Sequence, residues 1–179
     1  MPSPVKKVAI EEGLAVLQPE KPRGDAFLSE MRALGADLSV VVAYGHILPK
    51  NVIDMPAQGT LNIHASLLPA LRGAAPIQAA IRDGLTETGV SIMRMVPALD
   101  AGPVLHRVTV PILEDETYGE LQLRLSELGA QAERLAAGVQ IPDSAGFQRA
   151  RSLVRTALTA SPVAEEIEDA VAALLAESP

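Results

Sequence analysis

The chain has 179 residues, of which 48% are apolar and none is cysteine, and a formal net charge of −7. That length suits one domain with a full core, and the apolar share excludes disorder throughout. The lack of cysteine rules out disulfides, thiolate metal sites and a cysteine nucleophile.

The acidic balance argues against broad, non-specific binding to nucleic acid. No apolar run reaches the roughly 18 residues of a membrane span, and MPSPVKKVAIEEG lacks the apolar core of a signal peptide. These features read as a soluble, cytoplasmic protein. Aromatic residues make up only 2% of the chain, so its core is aliphatic, as in buried parallel strands.

In chain order, a Ser-Pro start and helical spacing predict a first helix over Pro4–Glu12, stopped by Gly13. Leu14–Pro19 (LAVLQP) reads as a short strand and Pro19–Asp25 as a loop. A helix follows over Ala26–Leu34, capped by Gly35. Leu38–Ala43 (LSVVVA) has the β-branched run of a strand buried on both faces. A turn and a brief helical connection over Lys50–Met55 lead to a second buried strand, Thr60–Ala65.

After a loop at Pro69–Gly73, a helix spans Ala75–Asp83. Strands are predicted over Thr88–Val96 and Val104–Val110. The longest helix runs over Thr117–Ala137, with Leu121, Leu125, Leu128 and Ala132 repeating every three or four residues. Gly138–Gly146 is linker-like, and Ser161-Pro162 opens a last helix. Alternating strands and helices predict an α/β domain with a largely parallel sheet.

The chemistry concentrates between Asn62 and Asp100. Side chains alternate along a strand, so Asn62 and His64 point the same way at its C-terminal end. Open α/β sheets bind ligands there. Asp100 offers a carboxylate that would orient an imidazole and favour its charged form. A hydrogen-bond donor, an acid–base group and an orienting carboxylate suit addition to a carbonyl with proton transfer. A satisfied structural histidine is the plain alternative.

Serine hydrolysis through Ser66 lacks the G-x-S-x-G elbow, and metal binding by His46, His64 and Asp100 lacks ligand spacing. Arg72-Gly73 fits either an anion grip or a turn. His106 reads as structural or exposed. Tyr44 would line a pocket or pack on the core.

NIHASLLPALRGAAPIQAAI (62–81), followed by TGVSIMRMVPALDAGPVL (88–105), resembles the formyltransferase family that uses 10-formyltetrahydrofolate. VVVAYGHILPKNVIDMP (40–56) matches the preceding strand and loop. The RGAAPIQ run is similar to the branch acting on methionyl-tRNA. This resemblance implies a partial Rossmann-like formyltransferase domain. Asn62 would bond the formyl oxygen, His64 would supply charge or a proton, and Asp100 would orient His64. His46, Ile47, Leu48, Val96 and Leu99, together with Ser66, Leu67, Leu68 and Pro69, would border the folate. No metal is implied.

The implied acceptor is initiator methionyl-tRNA. Against the family pattern, the chain starts after the first two strands and the loop used in tRNA recognition, and the family's C-terminal barrel is absent. Residues 1–138 are therefore expected to form a partial catalytic domain, and 139–179 a linker and divergent helical tail. A complementing N-terminal half is a candidate partner. Two other readings remain open: formyl transfer to a small amine (a sugar nucleotide or glycinamide ribonucleotide) and a non-catalytic folate-binding subunit.

Overall fold

The computed structural model describes residues 2–136. Helix α1 (Pro4–Glu11) begins at Ser3, whose hydroxyl accepts the Lys6 amide, with proline in the first turn. Only Ala9 of α1 is buried. Helix α2 (Asp25–Ala33) buries Leu28.

Strand β1 (Ser39–Val41) is followed by the single-turn helix α3 (Lys50–Ile53), strand β2 (Thr60–His64) and helix α4 (Pro76–Arg82). Strands β3 (Glu87–Arg94) and β4 (Val104–Pro111) come next, and the nineteen-residue helix α5 (Tyr118–Ala136) closes the described part. No helix among the described residues is long and apolar enough to cross a membrane.

One four-stranded sheet runs in the order β1-β2-β3-β4. Strands β1 and β2 pair in parallel, with Val41 opposite Asn62. The other two junctions are antiparallel, with His64 opposite Ser91 and Val90 opposite Val108. The sheet is thus mixed, with its parallel character confined to one junction. From β3 the chain reaches β4 through a loop without a helix, and such a short return favours antiparallel pairing.

Leu14–Pro19 forms no strand among the described residues. Its apolar content resembles that of β1, but a strand exists only by pairing, and no described segment pairs with it. The linker at Gly138–Gly146, the helix after Ser161-Pro162 and the proposed boundary near residue 138 lie outside the described residues.

Alternation along the strands sorts side chains to two cores. On one face Leu61, Ile63, Val90 and Ile92 pack with Ile77 of α4 and with Leu121 and Leu125 of α5. On the other, Val41 and Met95 meet Leu28 of α2, Leu48, and Val52 and Ile53 of α3. The Thr60 hydroxyl donates to the Ile53 carbonyl at 2.7 Å, tying α3 to the start of β2. The first core reaches Ile63 near the end of β2, and the polar side chains of Asn62 and His64 lie on the other face of the strand.

Candidate active site at the end of β2

Asn62 and His64 lie on the same face of β2. In the antiparallel register they stand opposite Met93 and Ser91, so all four share that face. His64 is only 7% exposed. The strand therefore delivers an amide and an imidazole side by side into apolar surroundings.

Asp100 is brought to them by the loop between β3 and β4. That loop folds tightly over the strand end at Gly102, where an added Cβ would lie 1.8 Å from the Arg94 carbonyl oxygen. One oxygen of Asp100 accepts the Asn62 amide at 3.3 Å. Its other oxygen accepts the Gly73 backbone N–H at 2.8 Å and lies 3.6 Å from His64 Nδ1. A single carboxylate thus gathers the strand, the loop before α4 and its own loop. The opposite ring nitrogen, Nε2, sits 2.9 Å from the Leu71 carbonyl.

The backbone around these contacts is unusual. Among the described residues, four that are not glycine have positive φ: Ala43, Leu71, Ala75 and Asp100. Ala43, Ala75 and Asp100 line one cavity, and Leu71 holds the imidazole. Such conformations cost on the order of 1–3 kcal/mol each and cluster where function needs a fixed geometry.

The cavity has a volume of about 410 Å³ and opens beside Asn62, His64 and Asp100. Its walls come from three further segments. His46, Ile47 and Leu48 form one side, Val96 and Leu99 another, and Gly73 to Gln78 a third. Its size and largely apolar lining, with a few convergent polar groups, fit a small-molecule site. Ile47 and Leu99 are about half exposed, leaving an apolar rim. The Tyr44 and His46 rings meet at the same rim, with centroids 5.5 Å apart.

The residues singled out in the sequence divide into two groups. Asn62, His64, Asp100, His46, Ile47, Leu48, Val96 and Leu99 all border the cavity. Ser66, Leu67, Leu68 and Pro69 do not line it. Ser66 and Leu68 are buried behind it, and the Ser66 hydroxyl donates to the Ala70 carbonyl at 2.7 Å. Arg72 is exposed, and His106 sits on β4 away from the cavity.

Tyr118 and Gln122 of α5 reach the cavity without a sequence signal, because helical periodicity marks core positions and not what lies past the end of a sheet, while Gln78 of α4, which also lines it, closes the RGAAPIQ run. Burial pushes the phenols of Tyr44 and Tyr118 above their ordinary value, keeping both neutral hydrogen-bonding groups.

The arrangement can hold a small ligand against apolar walls and present an N–H donor and an imidazole to a carbonyl beside Asn62 and His64. Asn62 carries two amide protons and gives one to Asp100, which leaves the second for a ligand oxygen.

A family model described as formyl transferase matches residues 1–135. A methionyl-tRNA formyltransferase of Stutzerimonas stutzeri is 51% identical over 148 residues, covering 80% of this chain and 47% of the relative. One from Xylella fastidiosa is 56% identical over 131 residues, covering 73% and 43%. The chain thus spans less than half the length of these curated relatives.

Among solved structures, a phosphoribosylglycinamide formyltransferase of Anaplasma phagocytophilum superposes with a TM-score of 0.65 at 23% identity, covering 73% of this chain and 65% of that one. The Streptococcus pneumoniae enzyme of the same name gives 0.64 at 22%, covering 84% and 78%. These two likenesses show the fold. On the family model and the close relatives together, the chain belongs to the formyl transferase family.

Proposed function

We propose that the cavity receives the formyl-bearing end of 10-formyltetrahydrofolate and that Asn62, His64 and Asp100 serve transfer of the formyl group to an amine. The observation that carries this reading is the Asp100 carboxylate, which holds Asn62 and the Gly73 loop and faces His64 at the inner end of an apolar cavity. The slot between Ile47–Leu48 and Val96–Leu99 suits a flat, largely apolar ring system.

The free amide proton of Asn62 would bond the formyl oxygen, most strongly once attack makes it an oxyanion. His64 would carry the proton that leaves the attacking amine, and Asp100 would balance the resulting charge. The acceptor we propose is the α-amino group of initiator methionyl-tRNA, since the relatives more than 50% identical carry the name methionyl-tRNA formyltransferase. A small amine is the second reading, suggested by the glycinamide-directed names among the structural neighbours.

Formyl transfer to methionyl-tRNA and to glycinamide ribonucleotide, measured side by side, tests both readings. The assay should be run on the chain alone and with the N-terminal segment of a curated relative added. The expected result is transfer to methionyl-tRNA, lost by roughly a thousandfold in His64→Ala while folding is nearly unchanged. Turnover retained by His64→Ala would remove His64 from the chemistry. Binding of the folate donor without transfer to either amine would leave a non-catalytic folate-binding subunit.

A further inference from the structure

His64 is held on the side away from Asp100 by a chain of contacts that the formyl-transfer reading does not use. A carbonyl oxygen can only accept, so the 2.9 Å contact between His64 Nε2 and Leu71 O places an N–H on Nε2. The neutral ring then has a bare Nδ1, and it is Nδ1 that faces Asp100 at 3.6 Å.

Leu71 does not hold this position by itself. Its φ is +54°, a conformation that leucine rarely adopts. The turn that carries it is tied down from inside. The Ser66 hydroxyl gives its proton to the Ala70 carbonyl at 2.7 Å, with the Leu71 carbonyl a longer second contact at 3.4 Å. Ser91, opposite His64 on β3, donates to the Ser66 carbonyl at 2.7 Å and accepts the Leu68 amide at 3.0 Å. Ser66 and Ser91 are both fully buried. Two serine hydroxyls in an otherwise apolar region have all their partners in one turn, and that turn ends on the imidazole.

We infer that Ser66 and Ser91 are positioning residues: they fix the Leu71 carbonyl, which fixes the tautomer of His64, so that proton transfer in the proposed reaction passes through Nδ1. This rests on the formyl-transfer reading for its chemistry. As the amine nitrogen bonds to the formyl carbon, its surplus proton moves to the bare Nδ1. The ring is then an imidazolium between the Leu71 carbonyl and the Asp100 carboxylate. When the formyl carbon–nitrogen bond of the donor breaks, Nδ1 returns that proton to the departing nitrogen. One proton has moved from the acceptor nitrogen to the leaving nitrogen, and His64 is restored. A ring bound through Nδ1–H instead would present no base to Asp100's side of the cavity.

Nitrogen-15 NMR of the histidine-labelled chain tests the inference without any turnover. The chain has three histidines, and the His64 signals are those lost in His64→Gln. In the neutral ring, wild type should show the proton on Nε2 and a bare Nδ1. Ser91→Ala should give a mixture of tautomers, and Ser91→Thr, which keeps a hydroxyl, should return toward the wild-type pattern. Should Ser91→Ala fail to fold, Ser66→Ala cuts the same chain one link nearer to Leu71.

In a transfer assay, Ser91→Ala should lower kcat about tenfold with KM for the donor unchanged, a fraction of what a well-placed acid–base group contributes. A wild-type proton on Nδ1, or a wild-type tautomer in both alanine variants, would overturn the inference. Absence of transfer in wild type alongside the expected tautomers would count against the proposed reaction and not against the role of the two serines in holding the ring.

Discussion

Strands β1 and β3 are both rich in apolar residues, yet they end in different environments. Six consecutive residues of β3, Thr88 to Met93, are buried. Partners pair with both edges of β3, and Leu121 and Leu125 of α5 cover one face. The three residues of β1 are only half-buried, and among the described residues β1 is paired along one edge. The difference lies in the number of neighbours, since Val40 and Val41 are no less apolar than Val90. Burial of a strand is a property of its position in the sheet. The candidate site sits on β2, where the closed half meets the open one.

The contrast between the two halves predicts its largest effect at the tightest point of the closed one. A Cβ added at Gly89 of β3 would lie 2.0 Å from the Val108 carbonyl oxygen and 2.7 Å from Leu67. The first is backbone and cannot swing aside. Gly89→Ala should cost about 3 kcal/mol or more, at the top of the range for overpacking, and should lower the urea midpoint accordingly. A Gly89→Ala chain with the wild-type midpoint would mean that β3 and β4 are not tightly joined.

A gentler test compares like with like across the two halves. Ile92 is 0% exposed, and truncating it to alanine should cost about 3 kcal/mol through lost burial and the cavity left behind. Val40 on β1 is half-buried, and Val40→Ala should cost less than about 1 kcal/mol. Urea midpoints measured at unchanged slope would read both. Similar losses at the two positions would show that β1 is covered as well as β3 and would erase the contrast.

The same contrast explains what was legible in the sequence. Strands β2, β3 and β4 and the helices followed from periodicity and punctuation, because those signals report local geometry. Leu14–Pro19 misled for the reason β1 is only half-buried: an apolar run states a willingness to pair and says nothing about a partner. Asn62 and His64 were legible because two-residue alternation puts them on one face, and Asp100 because it closes the apolar stretch that follows them. The Leu71 carbonyl and the Gly73 amide were not legible, since every residue carries those groups. Ser66 stands out in the sequence as a hydroxyl two residues after His64, but its direction does not: it turns into the fold to hold the turn. Ser91 is a small hydroxyl inside an apolar strand, with no spacing to mark it until the register sets it opposite His64.

The smallest expected effect concerns how the closed half is fastened at the start of α5. Thr117 and Glu120 form a reciprocal cap. The Thr117 amide and hydroxyl donate to the Glu120 carboxylate at 2.9 and 2.7 Å, and the Glu120 amide reaches back to the Thr117 hydroxyl at 3.4 Å. The backbone bond from Thr117, then the side-chain bond, hold the Glu120 carboxyl below its ordinary value of 4.5. Folding therefore favours the ionised form. Its contribution is present above the ordinary carboxylate value and is lost as pH falls through the lowered folded value.

Glu120→Gln keeps an acceptor oxygen and removes the charge. Its urea midpoint should lie slightly below wild type near neutral pH, and the gap should close as the solution is acidified. Added salt should narrow the gap at neutral pH, because the carboxylate is fully exposed. A gap that stayed constant through the acid range would mean that the charge does not fasten α5, leaving the packing of Leu121 and Leu125 on β3 as what holds the closed half together.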